Sequence, residues 1–152
     1  MVGCFIGLFV KQKLIPRIKD LMTTKIKTGL GGSAGNKGSV IVRFKLDDTS
    51  IMFMNCHLMS GKGKGSKRTE EISLIMDNVF KNESKTKRVS VADHNMVFLF
   101  GDLNFRIQNT NEVVRKAVQF KDINSLKEYD ELNSFLKQFK NSRSFALLLQ
   151  RV

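Results

Sequence analysis

Cysteine is scarce in this chain, with only Cys4 and Cys56. Two thiols cannot make a disulfide framework, and no CxxC or HExxH spacing offers a zinc site. Both sit in apolar runs, where a thiol acts as a small core residue of a reducing compartment. Proline occurs once, at Pro16, inside KQKLIPRIKDL, which reads as a turn or short helix. Long hydrophobic runs are also lacking. The N-terminal MVGCFIGLFV is too short to span a bilayer, and it has neither a leading basic residue nor a cleavage pattern. Residues 2–10 are therefore expected to be a buried strand, which implies sheet partners upstream. Acidic residues are few, 14 against 26 basic ones, for a net charge of +12. Such a field favours anionic partners: nucleic acid, phospholipid headgroups or phosphorylated metabolites. It does not choose among them.

What is present is a globular composition. The chain has 152 residues, 41% hydrophobic and 26% charged, enough for one domain with its own core. TGLGGSAGNKGS, residues 28–39, reads as a glycine-dense loop. VIVRFKL and SIMFMN read as a hairpin turning at Asp47, Asp48 and Thr49. GKGKGSKR reads as a flexible basic loop in which Lys62, Lys64, Lys67 and Arg68 either steer an anion or are merely solvated. Ile72, Ile75, Val79 and Phe80 recur at helical spacing from about Lys67 to Phe80. Residues 81–95, including Lys85, Lys87 and Arg88, read as a polar, basic loop before a strand at 96–100. Asn109 with Glu112 resembles a capping box for a helix carrying Val113, Val114, Ala117 and Val118. Ser125 with Glu128 repeats that signal for a third helix from Leu126 to Phe139. Interleaved strands and helices predict an α/β or α+β layered domain. The near-continuous apolar strands predict a sheet covered on both faces.

Three short stretches can carry chemistry. In MVFLFGDLNFRI, Asp102 and Asn104 follow a strand two residues apart, and such residues face one side of a strand. A carboxylate can take a proton from water while an amide holds that water or a phosphate oxygen. Glycine, aspartate and asparagine also form ordinary turns, and that reading stays open. In MNCHLMSG, His57 ends a strand and Asn55 shares its face. The imidazole can bond a phosphate oxygen or be structural. In GGSAGNKGS, glycines let backbone amides approach an anion and Lys37 adds charge. Asn36 stands where a Walker A loop needs glycine, and a strand follows instead of a helix.

Taken in order, TGLGGSAGNKGSVIVRF, MNCHLMSG and FLFGDLNFRI resemble the catalytic domain of the inositol polyphosphate 5-phosphatases, most of all the synaptojanin-like members. FVKQKLIPRIKDL and FKDINSLKEYDELN extend the resemblance over residues 1–142, with Phe105 in place of the family's usual tyrosine. The resemblance implies part of a four-layer α/β sandwich of the endonuclease/exonuclease/phosphatase type. It implies Mg²⁺-dependent hydrolysis of the 5-phosphate of a phosphoinositide or soluble inositol phosphate. Asp102 would activate water, Asn104 would orient it and contact the phosphate, and His57 would bind phosphate oxygens with support from Asn55. Asn36 and Lys37 would lie near the substrate's other phosphates, and Arg106 would brace the loop through an ion pair. The expected setting is cytoplasmic and peripheral to an anionic membrane surface, with no nucleic acid partner. The family's metal-binding glutamate is expected before Met1, and its later PTYKY-like, WCDR-like and Asp–His segments have no counterpart. Residues 1–152 are thus expected to be the middle of a catalytic domain, with little turnover alone. A nuclease of the same superfamily and a non-catalytic phosphoinositide-binding module are the competing readings.

Overall fold

The computed structural model describes residues 3–81, 89–142 and 147–149. Five strands form one sheet in chain order: β1 (Ile18–Gly29), β2 (Ala34–Leu46), β3 (Thr49–His57), β4 (Met96–Asp102) and β5 (Leu147–Leu149). The first three pair antiparallel, and β3, β4 and β5 run parallel. The β3–β4 crossover contains α1 (Gly65–Asn78). After β4 come α2 (Asn111–Gln119) and α3 (Glu131–Ser142). The fold is therefore mixed α+β, as expected.

The predicted hairpin is present, with Leu46 opposite Thr49 and Asp47 at positive φ in the two-residue turn. Register sorts the side chains onto two faces. Ile41, Met52, Met54, Cys56, Val97 and Leu99 point to one side, where they pack with Ile72, Ile75 and Met76 of α1 and with Leu132 and Phe135 of α3. Phe44, Phe53 and Phe98 stack in a row on the other side, with ring centroids 6.1 and 5.0 Å apart. The expected double cover is only half met among the described residues. Along β3, buried side chains alternate with half-buried ones on the aromatic face.

Several expectations are corrected. Residues 3–11 form no strand, and Phe9 is 97% exposed. Apolar composition alone does not make a strand without a ladder partner. Gln12–Arg17 is a 3-10 turn, but Ile18 onward continues as β1. Half of the glycine-dense stretch, residues 34–39, is β2, residues 28–29 end β1, and only residues 30–33 turn the chain. Helix α1 starts inside the basic run, at Gly65. The N-cap of α2 is Thr110, whose hydroxyl accepts from the Val113 amide, while Glu112 pairs with Lys116. Most of that helix's apolar side is exposed; Ala117 is the residue it buries. The third helix is split at extended Asp130, whose carboxylate caps the Leu132 amide at 2.9 Å. Lys85, Lys87 and Arg88 lie outside the described residues.

Candidate active site

Two adjacent parallel strands, β3 and β4, end side by side, and His57 and Asp102 are register partners there. Both lie on the aromatic face, two and four residues beyond Asn55 and Phe98 respectively. Carboxyl ends of parallel strands are where loops leave the sheet and ligands find room. The imidazole Nε2 stands 3.5 Å from the Asp102 carboxylate and 2.5 Å from the Lys37 ammonium. An ammonium has only protons to give, so in this arrangement Nε2 accepts and the ring proton sits on Nδ1. Lys37 and Asp102 thus compete for one ring nitrogen.

Asn104 joins this group by a turn, not by strand alternation. Its backbone is left-handed, its amide N–H donates to Asp102 Oδ1 at 3.2 Å, and its side-chain amide donates to the Leu58 carbonyl at 3.0 Å. The turn reading and the site reading are both met by one structure. Gly101 has φ +112, and a Cβ there would come within 2.3 Å of both the Asn55 Oδ1 and the Cys56 carbonyl. Glycine is what lets β4 approach β3 closely enough to place Asp102 beside His57.

The other predicted residues are placed differently. Asn55 shares the face of His57 but spends its amide on the Phe5 carbonyl, 2.9 Å away. Asn36 is exposed, its carboxamide turned over Gly29. Arg106 contributes its backbone: its N–H donates to Glu131 Oε2 at 3.0 Å and its carbonyl accepts from the Glu131 N–H. The ion pair at this place is made by Arg68.

Arg68 is the residue that sequence reasoning misplaced. It is fully buried and reaches Glu131 at 2.5 Å. It also donates to the carbonyls of Met59 and Gly61, at 3.0 and 3.1 Å, and lies over the Phe105 ring. Glu71, one turn on, accepts the Met59 N–H at 2.7 Å. Burial pushes the Glu131 carboxyl up, but bonds from Arg68, the Arg106 N–H and Gln108 outweigh it and hold the group below the usual carboxylate range. One charged pair therefore clamps both loops that follow His57 and Asp102. A sequence signal existed: Arg68 precedes Ile72 by four residues, on the helix's inward stripe. Burial raises the Cys56 thiol to about 12, which fits a core residue and not a nucleophile.

No group of three or more His, Cys, Asp or Glu side chains that could hold a metal occurs among the described residues. Asp102, 64% exposed, offers one carboxylate with Asn104 beside it. That donor set suits Mg²⁺, which commonly takes one or two carboxylates and fills its shell with water and phosphate oxygens.

Residues 1–146 match the model of endonuclease/exonuclease/phosphatase family 2. A probable inositol polyphosphate 5-phosphatase of Schizosaccharomyces pombe is 36% identical, over 97% of this chain and 13% of its own length. Human phosphatidylinositol 4,5-bisphosphate 5-phosphatase A is 35% identical, over 88% of this chain and 13% of that protein. Among solved structures, the inositol polyphosphate 5-phosphatase domain of SPsynaptojanin, in complex with inositol (1,4)-bisphosphate and a calcium ion, superposes with a TM-score of 0.73. It is 33% identical, over 85% of this chain and 36% of that one. The chain spans about an eighth of the length of the two curated relatives.

Proposed function

This chain belongs to endonuclease/exonuclease/phosphatase family 2, and from that membership we propose that it carries the phosphate-binding, water-activating part of an inositol polyphosphate 5-phosphatase. The observation that carries this reading is the convergence of Lys37, His57 and Asp102 at the ends of β3 and β4, with Asn104 locked beside them. Asp102 takes the proton of the attacking water. Asn104, anchored through its Nδ2 to Leu58, holds its Oδ1 toward that water or a phosphate oxygen. A phosphate entering the cleft draws the Lys37 ammonium off the imidazole. His57 Nε2 is then free to take a proton and bond a phosphate oxygen. Asn36, beside Lys37 and exposed, meets the substrate's other phosphates, with Asn55 and Arg106 in supporting places. Magnesium, held through Asp102 with water and the substrate phosphate, would supply neutralisation of the charge that builds during attack. Residues 1–152 act as part of a larger catalytic domain on the cytoplasmic side of an anionic membrane, with a phosphoinositide or inositol phosphate as substrate.

With one carboxylate in the cleft among the described residues, turnover by these residues alone is slow, and binding is the primary readout. The experiment titrates inositol (1,4)-bisphosphate into the protein, then into His57→Ala and Lys37→Met. The expected result is a loss of about tenfold or more in affinity for each variant, the worth of one charge-assisted bond. Phosphate release from phosphatidylinositol 4,5-bisphosphate with magnesium, abolished by Asp102→Asn, extends the reading to chemistry. Unchanged binding in both variants, or nicking of plasmid DNA without any inositol phosphate binding, points to the nuclease instead.

A further inference from the structure

The strand register sets one more charged side chain on the face that carries His57. Lys27 of β1 pairs with Gly38 of β2, Gly38 with His57 of β3, and His57 with Asp102 of β4. Register partners share a face, so these four positions form one row across the aromatic side of the sheet. The alternation along β1 agrees. Met22 and Ile26 pack against the core on the helix side, and Lys25 and Lys27 are exposed on the other. Neighbouring strands lie about 4.8 Å apart, which puts the α-carbons of Lys27 and His57 roughly 10 Å from each other. Between them Gly38 has no side chain and has no room for one. Its φ is +136, and a Cβ there would fall 1.9 Å from the Ile26 carbonyl oxygen. Beside the row, the segment at Cys4 and Phe5 is tied to Asn55, two residues before His57. The Cys4 thiol donates to the Asn55 carbonyl at 3.2 Å, and the Asn55 amide donates to the Phe5 carbonyl at 2.9 Å. The bare backbone of Gly38 is thus the floor of a short trough that leads from Lys27 to the imidazole.

Charge is laid out unevenly along this trough. Asp102 stands at the far end, 3.5 Å from His57. Lys27 makes no ion pair among the described residues, whereas Lys45 of the neighbouring strand is paired with Asp20. A free ammonium at one end and an imidazole at the other, with an open floor between, suit a ligand that bears two phosphates. A lone phosphate at His57 leaves Lys27 without a direct contact, and salt screens the attraction that remains. We propose that Lys27 is a specificity-determining residue of the cleft. With the scissile phosphate at His57, its ammonium binds a second phosphate of the inositol ring, one that the reaction leaves in place. This inference rests on the 5-phosphatase reading and adds to it the residue that tells a ring with two phosphates from a lone phosphate.

The test uses the whole chain, labelled with ¹⁵N and titrated separately with inositol (1,4)-bisphosphate and with inorganic phosphate. Dissociation constants are read from the Gly38 and Gly101 amides. Lys27→Gln is expected to raise the bisphosphate constant about tenfold, the worth of one charge-assisted bond, and to leave the phosphate constant within about twofold. Lys27→Arg keeps the charge and should stay within about threefold of wild type for both ligands. Lys19→Gln removes the same charge roughly 25 Å along the strand, several Debye lengths away, and should change neither constant by more than about twofold. His57→Ala should weaken both ligands. An unchanged bisphosphate constant in Lys27→Gln, equal weakening of both ligands, a loss in Lys27→Arg as large as in Lys27→Gln, or a matching loss in Lys19→Gln overturns the assignment of Lys27. Where His57→Ala still weakens both ligands, only that assignment falls. Amides unmoved by either ligand in wild type, or constants indifferent to His57→Ala, sink the catalytic reading and this inference with it.

Discussion

At the scale of single residues, the loops that frame the candidate cleft are held by a charge outside it. Arg68 is fully enclosed, and its guanidinium meets Glu131 and two loop carbonyls. Removing one partner of a buried pair strands the other. Arg68→Met is therefore expected to cost about 3–5 kcal/mol at neutral pH, read from urea unfolding. The pH dependence has a definite sign. The folded Glu131 pKa is lowered, so its contribution is full above the ordinary carboxylate value of about 4.3 and lost as pH falls through it and below. The gap between wild type and Arg68→Met should narrow over that same range. A gap under about 1 kcal/mol, or one indifferent to acid, would mean that the pair does not brace the loops. Asp102 and His57 were legible in the sequence as strand-end positions because those follow from apolar runs, whereas Asn104, expected to share their face by strand alternation, reaches them through a left-handed turn. Arg68 was not legible, because Lys62, Lys64 and Lys67 beside it make one solvated run out of two different environments.

At the scale of elements, sequence periodicity succeeded where a segment had one exposed face and failed where pairing decided. The alternation from Met22 to Thr28, inward and outward by turns, marks β1 once the partner β2 is known. Residues 3–11 are more apolar yet unpaired, so composition pointed the wrong way. A different element contact carries a prediction. Arg43 of β2 donates to His94 Nε2 at 3.0 Å, and His94 Nδ1 bonds the Ser90 carbonyl, joining the sheet to the segment that leads into β4. Burial first, and the Arg43 charge next, push the His94 pKa below its ordinary value, against the Ser90 bond and the Asp93 charge, which raise it. The neutral ring is the one that fits. A depressed folded pKa means the unfolded chain takes up the proton first, so stability falls as pH drops below about 6.5. The slope should reach at most about 1.4 kcal/mol per pH unit, and His94→Gln, which keeps an acceptor for Arg43, should flatten it. Urea midpoints between about pH 7.5 and about pH 5.5 check this. Parallel curves for wild type and variant would remove His94 as the cause.

At the scale of the whole molecule, one sheet serves two unlike surfaces. The helix-covered face holds the apolar core, and the aromatic face holds the row of phenylalanines that leads up to His57 and Asp102. The layered class was legible from the alternation of strands and helices. The difference between faces was not, because β3 and β4 carry apolar residues at nearly every position and period-two contrast vanishes. Neighbouring residues of β4 can tell the faces apart. Leu99 is wholly buried under the helices, whereas Phe98 stacks on Phe53 and is only half-buried. Leu99→Ala leaves a cavity that close-packed neighbours cannot refill, and should cost about 2–5 kcal/mol. Phe98→Tyr adds a hydroxyl that the open face can leave in water, and should stay within about 0.5 kcal/mol of wild type. Both are read from the same denaturation series. Should Phe98→Tyr destabilise as much as Leu99→Ala, the aromatic face would be as tightly enclosed as the core. The cleft at its upper end would then lack the solvent access that the proposed activation of water by Asp102 requires.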